Sequence, residues 1–391
     1  MNQPLAGITI ADFSHVMAGP YASHLLRLMG AEVIKIESRK GDQFRNYGAD
    51  RALDGMAPAF VSANAGKKSI ALDLKDEREL EIARAIVRKS DVLLENFRPG
   101  VIGRLGLGYD AADKLRPGIV YCSVSGYGQD GPHRDWPAID NIVQATAGMM
   151  MLSGDETMPP VRVGFPIVDT LTGQTAALSI LAAIIRQRET GEGARIDVSM
   201  FDASLAFMTS TLTPFLLTGT PMPRMGNTGY SGLPTASLFT TRDGREISLG
   251  VVQDNQFTAL AHHVGRVDWL DDPRFVTADA RRQNFGAMKG ELAGEIVKRD
   301  AVEWEKGMSD AGIPCGMVRS VDEASAMAGE NAILSIPAQN SPYANEIRIP
   351  NAGFRMETGS PGVDAPPPRL DENRTEILDW LGMPDLKVKS A

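Results

Sequence analysis

Through the first 125 residues, short apolar runs alternate with amphipathic helical stretches, and this alternation constrains the fold more than any other feature. Residues 7–11 read as a strand, followed by the break Ala18-Gly19-Pro20. The spacing predicts a helix over 21–29 that stops at Gly30, the residue expected past a helix C-terminus. Residues 31–37, 69–74, 91–95 and 119–124 read as further strands, with a helix predicted over 77–89. Strands separated by helices build a parallel sheet covered on both faces. Ligands bind such sheets beyond the carboxyl ends of the strands, so the loops at 14–20, 38–45, 96–100 and 125–132 are expected to face a site.

A long apolar helix is predicted over 170–188, closed by Thr190-Gly191-Glu192-Gly193, then a strand over 194–199 and a second helix running toward Leu217. Residues 221–234 are rich in Gly and Pro and read as a loop opening a second unit. That unit begins with hairpin strands around Asp243-Gly244 and continues in helices. A chain of 391 residues exceeds one ordinary core. The expected organisation is a large Rossmann-like α/β domain over 1–200 and a linker over 201–224, then a smaller α+β domain over 225–330. A linker and C-terminal segment over 331–391 is expected to return to the large domain.

Several function classes drop out. The net charge of −9 disfavours nucleic acid, because an acidic surface repels a polyanion. No run of 18 apolar residues argues for a membrane partner, and the start MNQPLAGITI carries no export signal. A cytoplasmic setting is therefore expected, with Cys122 and Cys315 as reduced thiols too far apart in sequence for a metal or redox spacing. The turn from Ser14 to Pro20 does not supply G-x-G-x-x-G, and the P-loop, H-E-x-x-H and G-x-S-x-G patterns are all missing. No metal site and no permanently bound cofactor are expected.

What remains is Val168-Asp169-Thr170, just ahead of the apolar helix. An aspartate there is ordinarily an N-cap. The same position suits a nucleophile, because the helix start favours a carboxylate and its amides could stabilise an oxyanion formed beside it. The residues alone leave both readings open.

Ordered blocks spaced along the chain decide more. They include Leu5-Ala6-Gly7, Ala18-Gly19-Pro20, the run from Gly30 to Glu37, Gly41-Asp42 and the run from Lys67 to Lys75. Further blocks are Glu95-Asn96-Phe97-Arg98-Pro99-Gly100, the run from Ser125 to Pro132, Asp272-Pro273-Arg274-Phe275, Gly312-Ile313-Pro314-Cys315-Gly316 and Thr375-Glu376-Ile377-Leu378. In these the chain resembles the class III CoA-transferases, the group of formyl-CoA transferase and carnitine CoA-transferase, over nearly its whole length.

The resemblance implies that Asp169 is the catalytic nucleophile and that coenzyme A thioesters are the substrates. It places CoA at Val16, Ala18, Leu72, Asp73, Leu74, Lys75, Asn96, Phe97, Arg98, Arg104, Ala138, Ile139 and Asp140. A family arginine after the second strand is Ser38 here, with Arg39 beside it as the CoA-binding candidate. Met17 stands where formyl-CoA transferase carries a glutamine against the acyl group, and the loop carrying Gly226, Asn227, Gly229 and Gly232 corresponds to a glycine loop over the covalent intermediate. The implied assembly is an interlocked homodimer. A racemase of the related branch would need a proton-carrying side chain where Ile139 stands. A non-catalytic CoA-binding module is the other alternative. Met17 and Ile139 make the pocket less polar and point to C4–C5 dicarboxylates such as succinate, itaconate, mesaconate or citramalate rather than formyl or oxalyl groups.

Overall fold

The computed structural model describes residues 3–48, 55–338, 343 and 346–383. They divide into two compact units, one drawn from Met1–Ala147, Val163–Gly219 and Ala328–Ala391, the other from Gly148–Arg162 and Thr220–Met327.

The first unit is built on six parallel strands: β1 (Thr9–Asp12), β2 (Glu32–Glu37), β3 (Lys68–Ala71), β4 (Val92–Glu95), β5 (Val120–Ser125) and β6 (Ala194–Ser199). Their spatial order is β3-β2-β1-β4-β5-β6. The order reverses between β1 and β4, the switch point at which doubly wound sheets open a crevice. β4 reads Val-Leu-Leu-Glu and is buried throughout, as a strand covered on both faces must be.

The helices follow in sequence as α1 (Ala18–Leu28), α2 (Pro58–Val61), α3 (Glu77–Arg88), α4 (Val101–Arg104), α5 (Tyr109–Leu115), α6 (Asp140–Thr146), α7 (Ile167–Thr190), α8 (Met200–Phe207) and α9 (Thr209–Thr218). α1 and α7 cover one face through Ala22, Leu26, Ala176 and Ile180. α3 and α5 cover the other through Leu80, Ile86 and Ala112. α7 is long and apolar enough by composition to cross a membrane. Its buried side packs on α1 and the sheet, while Leu178 and Ile185 lie on an exposed side.

Residues 201–224, read from sequence as a linker, carry most of α8 and all of α9, whose axes bend by 80°. The second unit holds an antiparallel sheet of β7 (Leu238–Thr240), β8 (Glu246–Leu249) and β9 (Cys315–Met317). Its helices are α10 (Asp254–Val264), α11 (Ala278–Gln283), α12 (Phe285–Ile296), α13 (Ala301–Asp310) and α14 (Val321–Met327), around Trp269, Phe275 and Trp304. Residues 148–162 belong to this unit, an excursion that nothing in the sequence pattern announces. The chain then forms the hairpin β10 (Ile333–Pro337) and β11 (Glu346–Pro350) and ends its described course at α15 (Arg374–Leu381). α15 joins the sheet face of α3 through Ile377 and Leu378, and Asn373 accepts the Ser69 amide at 3.0 Å.

Candidate functional site

The turn leaving β1 departs from ordinary backbone geometry. Val16 has φ of +67°, a left-handed conformation that a β-branched residue adopts at a cost of about 1–3 kcal/mol. A buried clamp holds it there. Both oxygens of Asp42 accept the Val16 amide at 3.1 Å. Lys35, fully buried on β2, donates to Asp42 at 3.0 Å and to the Ser14 carbonyl at 2.9 Å. From β4's end, Asn96 accepts the His15 amide at 2.9 Å and returns a bond to the His15 carbonyl at 2.8 Å. The His15 and Phe97 rings lie 5.5 Å apart. The loops at the switch point are thereby stitched together, which brings Val16, Met17 and Ala18 beside Asn96 and Phe97.

Helix α7, which carries Asp169, packs on the start of α1. Gly173 lies one helical turn beyond Asp169, and a Cβ there would stand 2.7 Å from the Ala18 carbonyl oxygen and 2.9 Å from the Tyr21 ring. Only glycine permits that approach, and it seats the second turn of α7 against the first turn of α1. Asp169 is the third residue of α7, after the N-cap position Pro166, and its side chain makes no capping bond. The N-cap reading of the sequence is therefore overturned. The carboxylate is half-buried and, among the described residues, accepts no hydrogen bond. Burial, then the negative charge of Asp140, pushes its pKa up to about 7 from an ordinary 3.8.

The expectation that α7's own amides could cradle an oxyanion also fails. Asp140 accepts the Val168 amide at 2.7 Å and the Asp169 amide at 3.1 Å. The Ile167 and Thr170 amides are taken by the carbonyls of Phe165 and Pro166. The first turn of α7 has no donor to spare.

Basic side chains gather at the end of β4. Gly100 has φ of +79°, and a Cβ on it would lie 3.2 Å from Arg104 Nη1 and 4.0 Å from Arg134 Nη2. Arg98 and Arg104 are exposed and have no carboxylate partner among the described residues. Arg134 escaped the sequence reading. Its only signal was a basic residue in a loop leaving a strand end.

Comparison with known proteins places nearly the whole chain in a family. The family model for CoA-transferase family III matches residues 5–374. The chain belongs to CoA-transferase family III. It is 36% identical over 389 residues to an acetyl-CoA:oxalate CoA-transferase of Acetobacter aceti, covering 98% of this chain and 97% of that one. It is 32% identical over 383 residues to a succinyl-CoA–D-citramalate CoA-transferase of Chloroflexus aurantiacus, covering 97% and 95%. A crystal structure of a CAIB/BAIF family protein from Brucella suis superposes with a TM-score of 0.86 at 27% identity, covering 97% of this chain and all of that one. This protein is thus a CoA-transferase, and CoA thioesters are its substrates.

In this CoA-transferase the remaining residues expected at CoA are placed as follows. The Leu72 side chain lies in the core, so only its backbone can reach the strand end, and its amide is taken by the Glu37 carbonyl at 2.7 Å. Asp73 and Lys75 are exposed and Leu74 is half-buried. Arg39 is engaged by Glu79, which also accepts the Asp73 amide at 2.5 Å, so its guanidinium is not free in the way Arg98 and Arg104 are. Ala138 packs on Gly126, and Ile139 is 63% exposed at the start of α6. Asp140, expected beside CoA, instead commits its carboxylate to the start of α7 and to Gln144.

The glycine loop lies in the second unit. Gly226 and Gly232 take φ of +58° and +66°. Gly229 has no left-handed φ; it is pressed on Ala236, whose carbonyl accepts its amide at 2.6 Å. Asn227 at the loop's crest is exposed. The cysteines Cys122 and Cys315 form no disulfide. Among the described residues no group of three metal-ligating side chains occurs.

Proposed function

We propose that Asp169 carries CoA between two carboxylic acids through covalent intermediates. Its carboxylate attacks the donor thioester carbonyl, forming a C–O bond and expelling CoA as thiolate. The thiolate attacks the aspartyl carbonyl of this anhydride, releasing the donor acid and leaving an aspartyl-CoA thioester. The acceptor carboxylate attacks that thioester and again expels thiolate. The thiolate then takes the acceptor's carbonyl, forming the new acyl-CoA and restoring Asp169. The observation that carries the reading is a half-buried carboxylate with no hydrogen bond, standing in the first turn of a helix whose start Asp140 fixes. Lack of solvation and hydrogen bonding makes a carboxylate more basic, and a more basic carboxylate is a better nucleophile.

CoA lies over Val16, Ala18 and residues 72–75 and 96–98, with its phosphates at Arg104, Arg98 and Arg134. Arg104→Ala is expected to raise the KM for the thioester by roughly 10- to 100-fold with kcat changed only a few-fold, as for a charge-assisted contact made equally in ground and transition states. Steady-state kinetics check this; an unmoved KM would make Arg104 an ordinary surface charge.

The acids are C4–C5 dicarboxylates. Met17 leaves the turn apolar, and relatives named for D-citramalate and for glutarate, the latter 31% identical from Mus musculus, support that size. The test is CoA exchange from succinyl-CoA and from acetyl-CoA to succinate, glutarate, citramalate, itaconate, mesaconate, oxalate and formate, read by mass spectrometry. Oxalate or formate as the preferred acceptor would overturn the dicarboxylate reading while leaving the mechanism standing. Shielding of the intermediate from water is assigned to the 226–232 loop on the resemblance.

The working form is an interlocked homodimer in the cytoplasm. Self-association is supported by α9, which buries no residue within the chain and exposes Leu216 and Leu217, and by Leu178 and Ile185, one face of α7 at 69% and 62% exposure. Sedimentation should give a particle of twice the 42.1 kDa chain mass; a monomer would contradict it.

A further inference from the structure

Two hydrogen bonds at the start of α7 and one in the segment before it come from a pair of side chains on another helix. Asp140 opens α6 and is followed four residues later by Gln144, one helical turn away. The two are bonded, Gln144 Nε2 donating to Asp140 Oδ1 at 2.6 Å. Each then reaches the segment that leads into α7. Gln144 Oε1 accepts the Val163 amide at 2.8 Å, while Asp140 Oδ2 accepts the amides of Val168 and Asp169 at 2.7 and 3.1 Å. The approach to the nucleophile is held at both ends by one α6 pair, and the amide of the nucleophile itself is among the groups held.

The consequence is chemical as well as mechanical. An aspartate in the first turn of a helix that lacks a capping side chain can fold back onto the free amides at its own N-terminus. Such bonds stabilise the ionised form and blunt its nucleophilicity. Here the local segment supplies no cap, since Pro166 occupies the N-cap position. Asp140 fills the place instead. We propose that Asp140 is the positioning residue of the nucleophile: it occupies the α7 amides so that the Asp169 carboxylate stays unbonded and aimed at the substrate, and it is not a CoA contact. This rests on the reading of Asp169 as nucleophile. Asp140 is also the one charged group acting on Asp169 among the described residues. From α1, the atoms nearest Gly173 belong to Ala18, Tyr21 and Ala22, and Tyr21 is bonded to Gln174.

The substitutions Asp140→Asn and Asp140→Ala separate the two parts of the role. The amide side chain keeps an acceptor for the helix amides but drops the charge; alanine drops both. For Asp140→Ala, kcat is expected to fall by at least about 100-fold, the cost of a misplaced reacting group, while the KM for acyl-CoA moves by less than about threefold. Asp140→Asn is expected to keep kcat within about tenfold and to move the acidic limb of kcat/KM to lower pH, because a neighbouring negative charge has gone. A raised KM with kcat intact in either variant would make Asp140 a CoA contact and overturn the assignment. If alanine prevents folding, as a melting curve would reveal, the Asn variant decides alone, and an acidic limb that does not move overturns the assignment. Asp169→Asn is run beside them. If it turns over, the nucleophile reading fails and this one with it; if it is inactive while Asp140→Ala is fully active, only the positioning role fails.

Discussion

Asp169→Asn should abolish CoA transfer and yet make the protein more stable at alkaline pH. The loss of kcat is expected to be on the order of 10⁴-fold or more, the scale on which removing a covalent nucleophile acts. The gain in stability follows from the raised pKa. The carboxylate titrates at about 7 in the folded chain against an ordinary 3.8, because burial and Asp140 oppose its charge. Between about pH 4 and pH 7 the unfolded chain has released this proton and the folded chain has not. The folded state therefore loses stability as pH rises through that window, and the loss levels off above it. The neutral amide escapes this penalty.

The gain should be roughly 1–3 kcal/mol near pH 8, discounted because the side chain keeps some solvent, and should vanish near pH 3.5. Glu95, buried at the end of β4 and also pushed up to about 7 by desolvation, is common to both proteins and cancels in the difference. Melting curves of the two proteins across pH read the effect directly. A variant that is less stable at pH 8 would show that Asp169 serves the fold, as a cap would, and that its charge is not held under strain.

The second large effect is expected at the clamp. Asp42→Ala leaves the Lys35 ammonium buried without its counter-ion and the Val16 amide without its acceptor. Breaking a buried pair from one side costs about 3–5 kcal/mol. Activity should fall with it, because Val16 has no reason to keep a left-handed φ once Asp42 is gone. Replacing both partners, Lys35→Met with Asp42→Leu, is expected to restore much of the stability, as apolar replacements of buried pairs often do. It should not restore kcat/KM, since no acceptor for Val16 returns. Chemical denaturation and steady-state kinetics on the single and double variants check both halves. Recovery of activity along with stability would mean that the conformation of the 14–17 turn does not matter to the reaction.

Much of the first unit was legible in the sequence because its signals are local. Strand runs bounded by Gly30 and by Asp91 gave β2 and β4 to within a residue, and a parallel sheet with its loops on one side followed. Asp169 was legible only as a residue of two meanings, since a carboxylate at a helix start reads alike whether or not it caps. What separates the meanings is Asp140, which lies 29 residues away and reaches Asp169 through the start of another helix. Asp42 was visible in Gly41-Asp42, yet nothing local says that its partners are Lys35 and a strained Val16. Arg134 comes beside Arg104 only because β4 and β5 pair in the sheet. Contacts of this kind depend on strand order, which periodicity does not encode. The second unit's claim on residues 148–162 is the same sort of fact.

The central claim is that CoA passes through a covalent bond to Asp169, and one measurement meets it head on. The wild-type enzyme is incubated with donor acyl-CoA in the absence of acceptor, treated with hydroxylamine, and digested for peptide mass spectrometry. Hydroxylamine attacks an aspartyl anhydride or thioester and leaves a hydroxamate on the side chain that bore it. The account predicts a hydroxamate on the peptide carrying Asp169, at that residue alone, and none in Asp169→Asn. Unmodified peptides throughout, under conditions where transfer to an added acceptor is measurable, would contradict it.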